Sequence, residues 1–81
     1  MSVWNDIAPR ETESLRLRSE LMMAIERRIA ADGLSQATAA EALGLTAPRV
    51  GELLRGRLSK FALDDLAGMA YKLGIRLRVE P

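Results

Sequence analysis

Between Gln36 and Arg55 the chain reads Gln-Ala-Thr-Ala-Ala-Glu-Ala-Leu-Gly-Leu-Thr-Ala-Pro-Arg-Val-Gly-Glu-Leu-Leu-Arg. Two short helical patterns meet at Gly44. The first needs a small residue where a second helix crosses it, and Ala40 fills that place. Gly44 follows four residues later, where the chain must reverse at positive φ without a side-chain clash. Val50 and Leu53 then turn the inner side of the second helix back to the core, and Ala39, Leu43 and Leu45 complete the apolar set. Ser35 and Thr46 are the expected N-caps, and Pro48 falls in a first turn, where its missing N–H costs nothing. The stretch predicts one helix from Gln36 to Leu43 and another from just after Thr46 to about Leu54, stopped by Gly56. A two-helix corner of any small bundle would share the glycine and part of the spacing. The run Arg55-Gly56-Arg57 directly after the second helix points instead to a helix-turn-helix that docks on DNA.

Charge is distributed in keeping with that reading. Residues 1–48 carry five arginines against seven acids, a net of −2, and residues 49–81 carry seven basic residues against four acids, a net of +3. Arg49, Arg55, Arg57 and Lys60 fall close together, opposed only by Glu52. A solvated basic face is the simple alternative; the position of the cluster, on the second helix and the loop after it, favours a phosphate-facing patch.

Outward from the motif, a long helix is predicted from about Arg10 to Ala31, with Leu17, Leu21, Ile25 and Ile29 recurring every four residues and Leu15 and Met22 beside them. Asp32-Gly33 ends it. After the loop from Arg55 to Lys60, another helix is expected from about Ala62 to Leu73, with Leu63, Leu66, Ala67, Ala70 and Leu73 inside and Gly74 as its stop. Ile75-Arg76-Leu77-Arg78-Val79 then alternates strictly between apolar and basic, a strand signature. A lone strand cannot satisfy its own hydrogen bonds, so it calls for pairing with the N-terminal arm, a second copy or another protein. The arm, residues 1–9, sets Val3, Trp4 and Ile7 among polar neighbours and closes at Pro9. The domain division is therefore 1–9 arm, 10–74 helical domain and 75–81 strand.

The 81 residues suffice for one small domain, and so short a chain gains from a partner, so a homodimer is expected. No apolar run approaches the ~20 residues of a membrane span. The start, Met-Ser-Val-Trp-Asn-Asp, has neither a basic region nor an apolar one of signal-peptide type, and cytoplasmic residence is the expectation. The absence of cysteine rules out a disulfide framework and a thiolate zinc site, and neither metal nor cofactor is expected. With no His and no Cys, two common catalytic residue types are missing, and no glycine-rich phosphate loop is present. Asp64-Asp65 stand at a helix start, where capping accounts for them. An enzyme is not expected.

The chain resembles the Cro/C1-type (Xre) helix-turn-helix regulators, and within them the small single-domain branch that includes HigA-like antitoxins of toxin–antitoxin operons. The resemblance is carried by Gly33-Leu34-Ser35-Gln36, by Leu43 through Arg57, and by Leu58-Ser59-Lys60-Phe61-Ala62-Leu63-Asp64-Asp65-Leu66, with Leu73 through Val79 also in keeping. It implies an all-α, compact five-helix, lambda-repressor-like domain, to which the alternating tail adds a short C-terminal β-strand. It also implies a repressor binding double-stranded DNA at an inverted repeat, an antitoxin regulating its own promoter, with a cognate toxin as partner. The alternative is a protein-interaction module that neutralises a toxin with little DNA binding of its own.

By position, the resemblance gives Gln36 a phosphate contact from the start of the first motif helix. Thr46, Ala47, Pro48, Arg49, Gly51 and Glu52 would form the groove-facing edge of the recognition helix, with Arg55, Arg57 and Lys60 on the backbone beyond. Ala47 and Gly51 replace the polar residues frequent in such regulators and can make no side-chain hydrogen bond to a base, although Ala47 could touch a thymine methyl. Arg49 therefore bears most of the direct readout. Gly51 costs ~1 kcal/mol in a helix interior, which a close approach to DNA or to the first motif helix would explain. For Glu52 two readings stand together: acceptor from a cytosine, or neutraliser of Arg49 or Arg55.

Overall fold

The computed structural model describes the backbone of residues 9–76 and the side chains of 13–76. Four α-helices follow in order: α1 (Pro9–Ala31), α2 (Gln36–Leu43), α3 (Ala47–Leu54) and α4 (Leu63–Lys72), with a single 3-10 turn at Leu58–Lys60 between the last two. The helix starts are local chemistry. The Ser35 hydroxyl accepts the Thr38 N–H at 3.1 Å and opens α2; the Thr46 hydroxyl accepts the Arg49 N–H at 3.3 Å and opens α3. At α4 the Asp65 carboxylate accepts the Ala62 N–H at 3.1 Å, which accounts for an acid at that position.

Each helix stops on one repeated device. A glycine at positive φ donates to the carbonyl three residues back, and the next residue donates across it to the carbonyl five back. At Gly44 (φ 69°) these bonds run to Glu41 at 3.3 Å and from Leu45 to Ala40 at 2.9 Å. The Leu34–Ile29, Arg57–Glu52 and Ile75–Ala70 bonds close the other three ends. Leu34, Leu45 and Ile75 also pack on the core, as residues in this position commonly do; Arg57 stands exposed, and Leu58 packs in its place.

α1 lies mainly along α4, and α2 against α3. Ile25 of α1, Leu43 of α2, Val50 and Leu53 of α3, Leu66 of α4 and Phe61 fill the centre. Met69 belongs to this core as well, a position the stripe predicted for α4 omits. The expected Leu17 does not: it is 46% exposed and Leu15 is 51% exposed, the buried stripe of α1 beginning at Leu21. The cause is length. α1 has 23 residues against 10 in α4, about 34 Å against about 15 Å, so its first turns extend past the helix that covers the rest.

Two parts of the expected fold are corrected. There are four α-helices, not five, among the described residues. Leu58–Lys60 makes only one 3-10 turn because the Gly56 closure and the extended Phe61 bound it on either side. The C-terminal β-strand is also absent from the described residues. The Ile75 N–H donates at 2.9 Å to Ala70 and its side chain packs on the core, so the first residue of the alternation completes the end of α4 instead of entering a ladder. Residues 77–81, and the arm before Pro9, lie outside the described residues. No helix among those described is long and apolar enough to cross a membrane.

Candidate nucleic-acid interface

The exposed side of the α2–α3 pair is built largely from α3. Val50 and Leu53 point inward, which turns Pro48, Glu52 and Arg55 outward at the spacing of one helical stripe. Ala47 and Gly51 border that stripe on the side facing α2, and Arg49 borders it on the side facing Phe61.

On the α2 side, Gln36 Nε2 donates to the Ala47 carbonyl at 2.7 Å. The bond ties the first turn of α2 to the first residue of α3 and sets the spacing of the two helices. It also accounts for Gly51. A Cβ built there would stand 3.3 Å from Gln36 Nε2 and 3.9 Å from Arg55 Nη2, and the residue is buried. The close approach that Gly51 permits is therefore to α2.

On the other side, Arg49 is held at two points. Its Cζ lies 4.0 Å from the centroid of the Phe61 ring, and its Nη1 donates to Glu52 Oε1 at 3.4 Å. The two side chains are 33% and 30% exposed, partly withdrawn from solvent but still reachable. Glu52 thus neutralises Arg49 in the unbound domain. Arg55, Arg57 and Lys60 are exposed, and none of them makes an ion pair among the described residues. Thr46 is exposed, with its hydroxyl engaged as the α3 cap.

The arrangement is a helix pair with its second helix exposed at the N-terminal turn, a guanidinium at its border and three exposed cations where it ends. A family model described as a helix-turn-helix domain matches residues 3–80. The chain belongs to that family. Helix-turn-helix domains lay their second helix in the DNA major groove while neighbouring segments hold the backbone, and this is a DNA-binding domain of that kind. A search of curated proteins finds no significant match.

The helix-turn-helix domain places the ten candidate contacts in three groups. Gln36, Ala47 and Gly51 lie together on the α2 side; Thr46, Pro48, Arg49, Glu52 and Arg55 line the opening turn, outward stripe and border of α3; Arg57 and Lys60 follow on the next turn. Two further side chains touch this arrangement that the motif alone does not reveal. Phe61, 1% exposed, is the support for Arg49. Lys72 Nζ donates to the Leu43 carbonyl at 3.2 Å, placing a cation at the C-terminal end of α2 beside the turn. The signal for Phe61 was its rarity, since it is the only phenylalanine of the chain and follows directly on Lys60.

Proposed function

We propose that the domain is a sequence-specific regulator of transcription, a repressor of the Cro/C1 (Xre) type that binds an inverted repeat as a homodimer in the cytoplasm and has no catalytic role. The observation that carries this reading is the outward stripe of α3, bordered by Arg49 and continued by Arg55, Arg57 and Lys60, on a scaffold whose acids are mostly elsewhere. Arg49 presents a partly exposed guanidinium suited to the O6 and N7 of guanine; the cations beyond it suit phosphates on either side of the groove. One recognition helix covers only a few base pairs, so an affinity on the order of 10⁻⁸ M calls for two half-sites about one helical turn apart.

The test is a titration of a duplex carrying the promoter of the gene's own operon, followed by fluorescence anisotropy at low salt. Retention of that duplex over a scrambled one is the expected result, and Arg49→Ala should cost ~1–3 kcal/mol and relax preference at one base pair. Equal, weak binding to both duplexes would defeat the reading.

Within this proposal the domain is the antitoxin of a toxin–antitoxin pair that regulates its own promoter. Support for a protein partner comes from α1, where Leu15, Leu17 and Met23 stand exposed. Co-expression with the product of the adjoining reading frame tests it: a complex that survives gel filtration is expected. If the domain forms that complex and binds no operator, the interaction-module reading replaces the repressor.

A further inference from the structure

The Arg49 guanidinium has three differently occupied parts. Its Cζ sits over the Phe61 ring, 4.0 Å from the centroid, within the range of a cation–π contact. One N–H edge meets Glu52 Oε1 at 3.4 Å. The remaining N–H groups meet no acceptor among the described residues, and Arg49 lines an open cleft of about 280 Å³ together with Gly44, Leu45, Asp64, Asp65 and Lys72. Phe61 itself cannot move to suit the arginine. It is 1% exposed, packed in the core, and its N–H donates at 3.1 Å to Leu58. A long side chain that would otherwise sample many rotamers is thus held against a fixed wall, with one edge left open.

We propose that Phe61 is a positioning residue for base readout: its buried ring orders the Arg49 guanidinium before DNA arrives, and so sets the preference at the base pair Arg49 contacts. The inference rests on the DNA-binding function proposed above. Two physical effects act together. A planar group held in place loses less freedom when it makes a bidentate contact to guanine, and its alignment with that base is more sharply defined than for a free arginine. A contact with phosphate would gain little from such alignment, because a phosphate accepts from many directions. The effect therefore falls on discrimination more than on total affinity.

The experiment selects duplexes from a random pool with the wild-type domain and identifies, with Arg49→Ala, the base pair whose preference Arg49 carries. The ratio of affinities for the preferred and the substituted pair is then measured for Phe61→Leu, Phe61→Met and Phe61→Tyr. Because both affinities come from the same preparation, any loss of folded fraction cancels in the ratio. The ratio is expected to fall about three- to ten-fold in Phe61→Leu and Phe61→Met, to persist in Phe61→Tyr, and to show no further fall when Phe61→Leu is added to Arg49→Ala. The dependence on salt should stay as in the wild type. In the DNA-free protein, the Arg49 side-chain protons should resonate upfield from the ring current and lose that shift in Phe61→Leu.

Phe61→Leu retaining the full ratio at a pair that Arg49→Ala relaxes would overturn the proposal, as would Arg49 protons without a ring-current shift. A selected motif that Arg49→Ala leaves intact overturns it too, with the DNA-binding function standing. Recovery of no motif by the wild-type domain removes that function and this inference together.

Discussion

The side-chain amide of Gln36 stands so close to position 51 that a side chain there would make it yield by a few tenths of an ångström. Gln36 Nε2 stands 3.3 Å from where a Gly51 Cβ would be, while donating at 2.7 Å to the carbonyl of Ala47. The two positions are therefore coupled, and their substitutions should not add. Gln36→Ala alone should destabilise by about 0.5–1 kcal/mol through the lost hydrogen bond. Gly51→Ala in the wild type should be close to neutral, the ~1 kcal/mol gain in helix propensity being offset by displacement of the amide. In the Gln36→Ala background the same Gly51→Ala should stabilise by up to ~1 kcal/mol. Urea denaturation of the four proteins in the cycle measures the coupling, and strict additivity would contradict the geometry.

Gly44→Ala should cost more than Gly56→Ala. Both glycines hold positive φ, 69° and 72°, so both substitutions carry the strain of that conformation, about 1–2 kcal/mol. Only at position 44 does the added Cβ meet another group, Lys72 Nζ at 3.2 Å, and moving that lysine breaks its bond to the Leu43 carbonyl. Midpoints of chemical denaturation for the two variants should rank accordingly, and the difference should shrink when Lys72 is replaced by Met in both.

Arg57→Ala and Lys60→Ala should weaken binding to preferred and scrambled duplexes alike. Each removal of a phosphate-facing cation should lower the slope of log K against log salt by about 1. Neither should alter stability by more than about 0.5 kcal/mol, since both side chains are exposed and make no ion pair among the described residues. Anisotropy titrations over a series of salt concentrations give the slope; an unchanged slope would place these cations away from DNA.

Light scattering should return about twice the chain mass of 8.9 kDa at micromolar concentration, with or without operator. A monomer at all concentrations, in the presence of DNA as well as its absence, would remove the homodimer and the inverted repeat with it.

What the sequence made legible was mostly what neighbouring residues decide among themselves. Ser35, Thr46 and Pro48 fix helix starts within one turn, and Gly33, Gly44, Gly56 and Gly74 fix the stops, so the bounds of α2 and α3 followed closely from local chemistry. What it hid depends on partners far along the chain. Leu17 has the right period for burial, but period cannot say where α4 runs out beneath α1. The alternation from Ile75 is the same kind of case: the Ile75 N–H goes to Ala70, and a pattern of side chains does not reveal that the backbone already has a partner. Within the interface, the groove edge of α3 could be laid out by position. That Glu52 takes Arg49 and not Arg55 is a choice between two partners at equal spacing, which spacing alone leaves open, and the place of Phe61 beneath that arginine needed the turn at Leu58–Lys60 to bring the segments together.

The four glycine-closed helix ends carry one asymmetry with a practical result. After three of them comes a residue committed to the interior, Leu34, Leu45 or Ile75; after α3 comes Arg57, and the interior is served instead by Leu58. Position 57 is thus relieved of any duty in packing. It can pass among arginine, lysine, serine and glutamate with the scaffold untouched, making it an adjustable dial for grip on a polyanion. Retuning this domain to a different ionic strength would begin there, one residue at a time, with the reading edge of α3 left alone.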